Sequence, residues 1–248
     1  DSAIDLDGKG APTGVGPGAG PNDDCCTAGG SHGGAGGVSR ANQFGPTHDS
    51  VFEPIALGSG GGDATQHGDG GRGGGALRVT AGNDVVIQGR ISADGTDGVS
   101  YAGGGSGGSV WIAARQILGA GMVTASGGSG KLSAGGGGGG RIALFTASEH
   151  FTGTVLACGG GFGDGGKPGG AGTVFRKLMS DSKGTVSLDN CGLAGGTTDV
   201  FDGFDLDAHV TIRNEAILAH PPQSKPTQIR IRGSMTIESS GLVSVSGR

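Results

Sequence analysis

The residues best suited to chemistry are acids and histidines set in glycine. Asp202, Asp205 and Asp207 fall in DVFDGFDLDAH, which ends at His209. Carboxylates at such spacing can hold a hard cation or act as general acids. They equally suit a solvated loop between strands, and that is the reading adopted. GGDATQHGDGG (Asp63, His67, Asp69) and GFGDGG (Asp164) share a composition with calcium-binding glycine nonapeptides. The G-G-x-G-x-D-x-apolar-x repeat that binds the ion is absent. His32, in SHGGAGG, and His48 stand alone, without a second ligand at metal spacing. GVGPGAG lacks the Lys-Ser/Thr of a phosphate loop. No Ser-His-Asp arrangement can be assembled from the order of residues. No catalytic residue, metal site or cofactor is therefore expected.

Four cysteines remain. Cys158 and Cys191 are 33 positions apart, close to the repeat length described below, so a disulfide between adjacent passes of the chain is expected. That bond implies an oxidising, extracellular setting. Cys25 and Cys26 are adjacent, which suits neither a metal knuckle nor easy mutual bridging. The expectation is that each bridges elsewhere, even to another chain, or that both are buried free thiols.

What would position such residues is set by glycine, 61 of 248 residues, with a single Trp and a single Tyr. Glycine does not fall strictly every third position, which excludes collagen. The apolar residues are clustered and periodic, which argues against disorder. The net charge of −5 offers no basic field for nucleic acid, and no apolar run is long enough to span a membrane. Asp1 reads as a cut or processed start.

A repeat organises the rest. Four stretches, from Gly74, Gly107, Gly139 and Gly170, each run from a glycine cluster into two short strands and back to glycine. Leu77, Val110, Ile142 and Val174 align in the first strands, and Ile91, Val123, Val155 and Val186 in the last, at a period of about 32. Ile217, in a weaker copy, is placed in the second column. Alternation puts Val110 and Ile112 on one face and Trp111 on the other. One unit cannot bury its apolar face alone, but stacked units can. The expected fold is all-β: a parallel β-helix, or β-solenoid, with 32-residue coils and glycine-rich corners. Residues 1–75 are expected as a long irregular glycine-rich segment, beginning with one strand and packed on the solenoid. Residues 76–248 form the coils as a single structural unit. Long runs such as Gly135 to Gly140 exceed what a corner needs and are expected to be polyproline-II-like segments packed on the coil.

Two further features bear on role. Arg78, Trp111 and Phe175 fall on the outward face of successive coils, either as an exposed strip that binds sugars or as a ladder covered by the N-terminal segment; the covered ladder is preferred. Arg176 falls in the inward column, so either the register slips there or a long loop alters the coil. The chain ends also match. Ile4 and Leu6 alternate as Val243 and Val245 do, so the last coil leads naturally into another first coil. Uncapped solenoid ends are adhesive edges, and stacking along one axis gives an open filament.

Over residues 1–195 the succession DGKGAPTGVGPGAG, SHGGAGG, PIALGSGGG, GGRGGGALRV, ISADG, GGGSGGSVWI and GGGGGGRIAL resembles the glycine-rich repeat ectodomains of large plant, algal and protist surface proteins. It is similar to some algal flagellar-hair (mastigoneme) proteins. The resemblance implies an extracellular structural module of a larger protein and brings no catalytic residues to carry over. The expected role is a non-catalytic, cell-surface block that stacks head to tail with copies of itself or adjacent modules, in a filament, flagellar hair or coat. A glycan-binding adhesin is the alternative, and a carbohydrate-active enzyme the third reading. Neither nucleic acid nor membrane insertion is expected.

Overall fold

The computed structural model describes residues 2–39, 43–199, 204–219 and 229–244. Among them the regular structure is all strand, with no helix. The first part holds β1 (Ala3–Asp5), β2 (Ala76–Thr80), β3 (Asp84–Val86), β4 (Arg90–Ser92), β5 (Ser109–Gly119), β6 (Met122–Thr124), β7 (Arg141–Phe151), β8 (Thr154–Leu156) and β9 (Thr173–Leu178). The second holds β10 (Gly184–Asp189), β11 (Thr197–Asp199), β12 (Phe204–Leu206), β13 (Ala208–Arg213), β14 (Ile217–Ala219), β15 (Ile229–Ile231), β16 (Met235–Ile237) and β17 (Leu242–Ser244). One long sheet runs β2-β5-β7-β9-β10-β13-β16, with β3 also on β5. A second sheet runs β1-β4-β6-β8, and two smaller ones are β11-β14-β17 and β12-β15.

The glycine runs between strands are ordered by hydrogen bonds that rotate among neighbours. From Gly135 to Gly140 the successive N–H groups donate to the carbonyls of Thr27, Lys167, Gly128, Gly30, Gly170 and Ala125, at 2.7–3.0 Å. From Gly103 to Gly108 they donate to Gly62, Gly135, Thr96, Ser59, Gly138 and Ala93. In both runs the same three neighbouring segments recur every third residue. That is the three-residue turn of a polyproline-II helix, which makes no hydrogen bonds within itself. Its backbone groups are satisfied instead by a bundle of like segments. Residues 8–37, 58–62 and 70–75 supply the outer members, so this N-terminal region is largely built into the bundle.

Such packing leaves no room for a side chain. A Cβ on Gly137 would sit 2.0 Å from the carbonyl oxygen of Gly105, and one on Gly138 2.0 Å from that of Gly34. Positive φ is not the reason, since no glycine in these two runs has it. Several tight corners are instead turned by non-glycine residues at positive φ, including Tyr101, Leu132, Asn214 and Glu215. Close backbone approach, more than corner geometry, is thus what glycine serves in these runs.

The recurring Ala-x-Gly at the end of each short strand has its own cause. Ala93, Ala125 and Ala157 are buried in one column. The next residue caps the following pass: Asp94 N–H donates to Asp7 Oδ1 at 2.8 Å, Ser126 N–H to Asp94 Oδ1 at 2.6 Å, and Cys158 N–H to Ser126 Oγ at 3.2 Å.

The long sheet carries a different core on each face. Leu77, Val110, Ile142 and Val174 pair in one row and pack with Ile91, Val123 and Ile112. The adjacent row runs Arg78, Trp111, Ala143, Phe175, Val186, Val210 and Met235 through all seven strands. Its buried members lie in a second core with Leu188, Ile212 and Leu218. The exchange happens at β9 and β10, which pair antiparallel with Val186 opposite Phe175. Beyond it the first row becomes Ser187, Thr211 and Thr236, and the second row carries the core.

This corrects two alignments. Val186 does not continue the Ile91, Val123 and Val155 column, and Ile217 pairs with Thr197 and Leu242 in a separate sheet. The 32-residue spacing holds from Val110 to Ile142 to Val174 but contracts afterwards, as Val210 pairs with Met235, 25 positions on. The inward position of Arg176 marks the place, because β9 is the last strand to face the first core.

Steric exclusion at the bundle makes a direct prediction. Gly137→Ala should destabilise by about 1–3 kcal/mol or more through overpacking, lowering Tm by several degrees. Gly82→Ala, where an added Cβ meets nothing within 4 Å, should leave Tm nearly unchanged. Thermal unfolding of the two variants compares them, and equal Tm values would remove the packing argument.

Candidate functional site

Several of the residues singled out for chemistry are engaged in structure. Asp205 accepts both branches of the Arg232 guanidinium, at 2.8 and 2.6 Å, which holds its carboxyl below the usual range. Asp207 is paired with Lys183, and His209 Nδ1 meets Ser234 Oγ at 2.7 Å. Asp202 lies outside the described residues. Asp63 accepts the Gly70 amide at 2.8 Å, and His67 lies against Tyr101. Among the described residues no group of three or more His, Cys, Asp or Glu is placed to hold a metal. A small recess among the described residues lies between Ile117, Leu144, Glu149, Phe151, Arg176 and Lys177.

The two histidines read as isolated are brought together. His32 and His48 stack with ring centroids 4.5 Å apart. His32 Nδ1 meets the Gly107 carbonyl at 2.8 Å and its Nε2 meets Asp49 Oδ2 at 3.3 Å. Asp49 Oδ2 also accepts the amides of Ile55 and Ala56, both at 2.9 Å, and the Ser109 hydroxyl at 3.0 Å. Buried Arg141 donates from Nε to the His48 carbonyl at 2.9 Å and from Nη1 to Thr173 Oγ1 at 3.0 Å. Asp49 lies between His32 and Ser109, so the order of a nucleophilic triad, with histidine in the middle, is not formed. One carboxylate folds residues 49–56 around itself and ties them to β5.

Its electrostatics follow from burial. Loss of water, then the His32 ring and Arg141, pull the His48 imidazole down to about 4. For Asp49, burial alone would raise the carboxyl, but the His32 hydrogen bond and the Ala56 and Ser50 amides hold it well below the usual range. Burial lowers the Arg141 guanidinium to about 10, against the pull of Asp49.

This folded loop covers the aromatic ladder. Arg78 Cζ lies 4.2 Å from the Trp111 ring centroid, Trp111 lies against Phe145, and Phe145 against Phe175. Phe52, two positions beyond Ser50, meets Phe175 edge-on at 4.8 Å. Phe145 replaces Ala143 as the rung between Trp111 and Phe175, because Ala143 is the residue in register. Trp111 is 7% exposed and Phe175 2%, so the aromatic members of the ladder are covered while Arg78 at its end is exposed.

The cysteines pair in two ways. Cys158 and Cys191 are bonded, with Cα atoms 5.9 Å apart. Cys25 and Cys26 are bonded to each other, contrary to the expectation of outside partners or free thiols. Cys26 takes a positive φ of 62° in a turn, a conformation that adjacency in the sequence does not announce.

Among the described residues, the outermost strands stand at the two ends of the stack. At one end lie β1, at the edge of its sheet, and β2, at the edge of the long one; at the other lie β16, β17 and β15. Ile4 is 45% exposed, Leu242 48% and Ile237 50%. Leu6 and Val243 are partly buried against the two cores, and Val245 lies outside the described residues. A further apolar row, Val99, Leu132 and Phe162, is exposed at the tips of the turns joining bundle segments. No protein-family model, curated protein or solved structure matches this chain.

Two predictions follow from this centre and its ladder. Between the ordinary histidine value of 6.5 and about 4, His48 is protonated in the unfolded chain and neutral in the folded one. The unfolded state then binds more protons, so stability falls as pH drops through that window. Asp49 adds its own loss once the unfolded carboxylate protonates, near 3.8 and below. Tm measured against pH should show both, and His48→Gln should flatten the upper window; an undiminished slope in that variant assigns it elsewhere. For the ladder, Arg78→Ala should bare one face of the only Trp and shift its fluorescence to the red, with Tm nearly kept.

Proposed function

We propose that the chain is a non-catalytic, extracellular β-solenoid block that stacks end to end into a filament or surface coat. The observation that carries this reading is the pair of open strand edges at opposite ends of one axial stack, both bearing exposed apolar side chains. Edges of this kind present unpaired backbone groups and apolar surface together, and natural proteins normally cover them. Two different edges that complement each other propagate rather than close.

The winding supports one continuous solenoid. At β9 and β10 the strand direction reverses and the core moves to the opposite face of the long sheet. The order of strands still advances along the same axis. Handedness depends on direction, core side and advance together, so two reversals cancel and both halves wind alike.

Use of the reactive side chains supports a structural role over an enzyme. Asp205, Asp207 and Asp49 are spent on ion pairs and backbone caps. All four cysteines are in disulfides, which fits an oxidising location outside the cell. Burial of the ladder under Phe52 removes the feature that would have favoured glycan binding.

Electron microscopy of the concentrated protein tests the reading. Regular filaments are expected, and Ile4→Asp with Leu242→Asp should abolish them while keeping Tm, since both side chains are largely exposed. Single particles at all concentrations, with both ends open, would sink it.

A further inference from the structure

Resting on the stacking reading, we propose that successive copies join by laying β17 of one beside β1 of the next, the two copies related by half a turn about the stacking axis. The partner surface is therefore a second copy of this chain.

At the first end β1 stands foremost. β1 pairs with β4, and β4 belongs to the same pass of the chain as β2. The β1 sheet thus overhangs the long sheet by one strand. At the other end β16 and β17 belong to one last pass and stand level. First contact between ends is β17 against β1.

Their roles in the winding agree. In the first half, the chain leaves β5 through Gly119 and enters the short strand β6. In the second, it leaves β13 through Asn214 and Glu215 and enters β14, as β16 is followed by β17. Both short strands follow a long-sheet strand and cover its core. They lie on opposite faces of the long sheet, however, and the long-sheet strands before them run in opposite directions. A copy moved by translation alone would place β1 across the sheet from β17. Half a turn about the axis inverts direction and face together, bringing β1 into the β17 column and parallel to it.

Register then follows from the alternation. Leu218 pairs with Val243 on the inner side, and Ile4 pairs with Ile91 and through it Val123. Val243 beside Ile4 makes one inner column of Leu218, Val243, Ile4, Ile91 and Val123, joining the two cores. Leu242 falls beside Ala3 and Ser244 beside Asp5. The long sheet is left one strand short at each join, between β16 and the next β2.

The geometry fixes a repeat. From β1 through β2, β5, β7, β9, β10, β13 and β16 there are eight strand positions along the axis. At about 4.8 Å each, the rise is about 38 Å per copy and the repeat about 77 Å over two copies.

A chain carrying Ala3→Cys and Leu242→Cys tests this, because every native cysteine is already bonded. Treated with a short bis-maleimide, it should give a ladder of covalent oligomers, lost when either substitution is made alone. Filament images should show a two-copy axial repeat near 77 Å. Filaments repeating at a single copy would overturn the half turn and leave stacking intact. Filaments whose two introduced thiols do not link would overturn the β17 to β1 join. Particles that stay single and unlinked would overturn the stacking reading as well.

Discussion

Everything in this molecule depends on how closely its backbones approach one another. In the bundle each N–H reaches a different neighbour in turn, and the third residue returns to the first neighbour. The segments therefore lie at hydrogen-bonding distance on several sides at once. A β-sheet brings backbones this close in one direction and leaves the perpendicular direction to side chains. Here the perpendicular direction is backbone too, and a single Cβ would fall about 2 Å from a carbonyl oxygen. Glycine carries the largest entropic cost of folding of any residue. The bundle offsets that cost with hydrogen bonds in place of apolar area, each worth about 0.5–1.5 kcal/mol net.

The apolar residues are then free to be few. They gather on the two faces of the long sheet, one face against the short strands of the first half and the other against those of the second. A single hairpin turn, between β9 and β10, performs the exchange. The N-terminal segment closes the remaining gap, because beyond β9 the first half has only the aromatic ladder to offer on that face. Val51 and Phe52 fill the space, and the Asp49 carboxylate holds the loop that presents them. Buried charge thus serves placement: Arg141, His48 and Asp49 tie a strand-free segment to β5 and β7.

Much of the first half was legible because side chains recur. Leu77, Val110, Ile142 and Val174 stand at one spacing, and so do Ile91, Val123 and Val155. The Cys158–Cys191 bond was expected from the same spacing, but it forms across the reversal, since Cys191 follows β10. The face exchange was legible only as an anomaly at Arg176, since Val-x-Leu in β10 and Val-x-Ile in β13 alternate just as the earlier strands do. Alternation reports that a face is buried, not which face of a shared sheet it is. The Asp49 centre was not legible, because its partners His32, Ser109 and Arg141 come from three distant segments and none is unusual locally. Nor was the bond between Cys25 and Cys26, which depends on the turn that carries them. The N–H rotation of the bundle leaves no trace at all in a run of identical residues.

A glycine bundle also limits where recognition can reside. Its inner runs, residues 103–108 and 135–140, are almost all glycine, and their backbone donors are consumed internally, so they offer little for a partner to read. Specific contact must occur where the bundle stops. Among such places are the turn tips, with Val99, Leu132 and Phe162, and the two ends of the stack, with Ile4 and Leu242. The tips expose side chains on turns whose backbone is already paired to the neighbouring turn, as Gly98 is to Ser129 and Gly130 to Gly161. The ends expose apolar side chains and strand edges together, which is the combination that another strand satisfies. A fold that spends its interior on backbone contact therefore places its strongest association surfaces along its own axis, and stiffness and end-to-end growth become consequences of one packing choice.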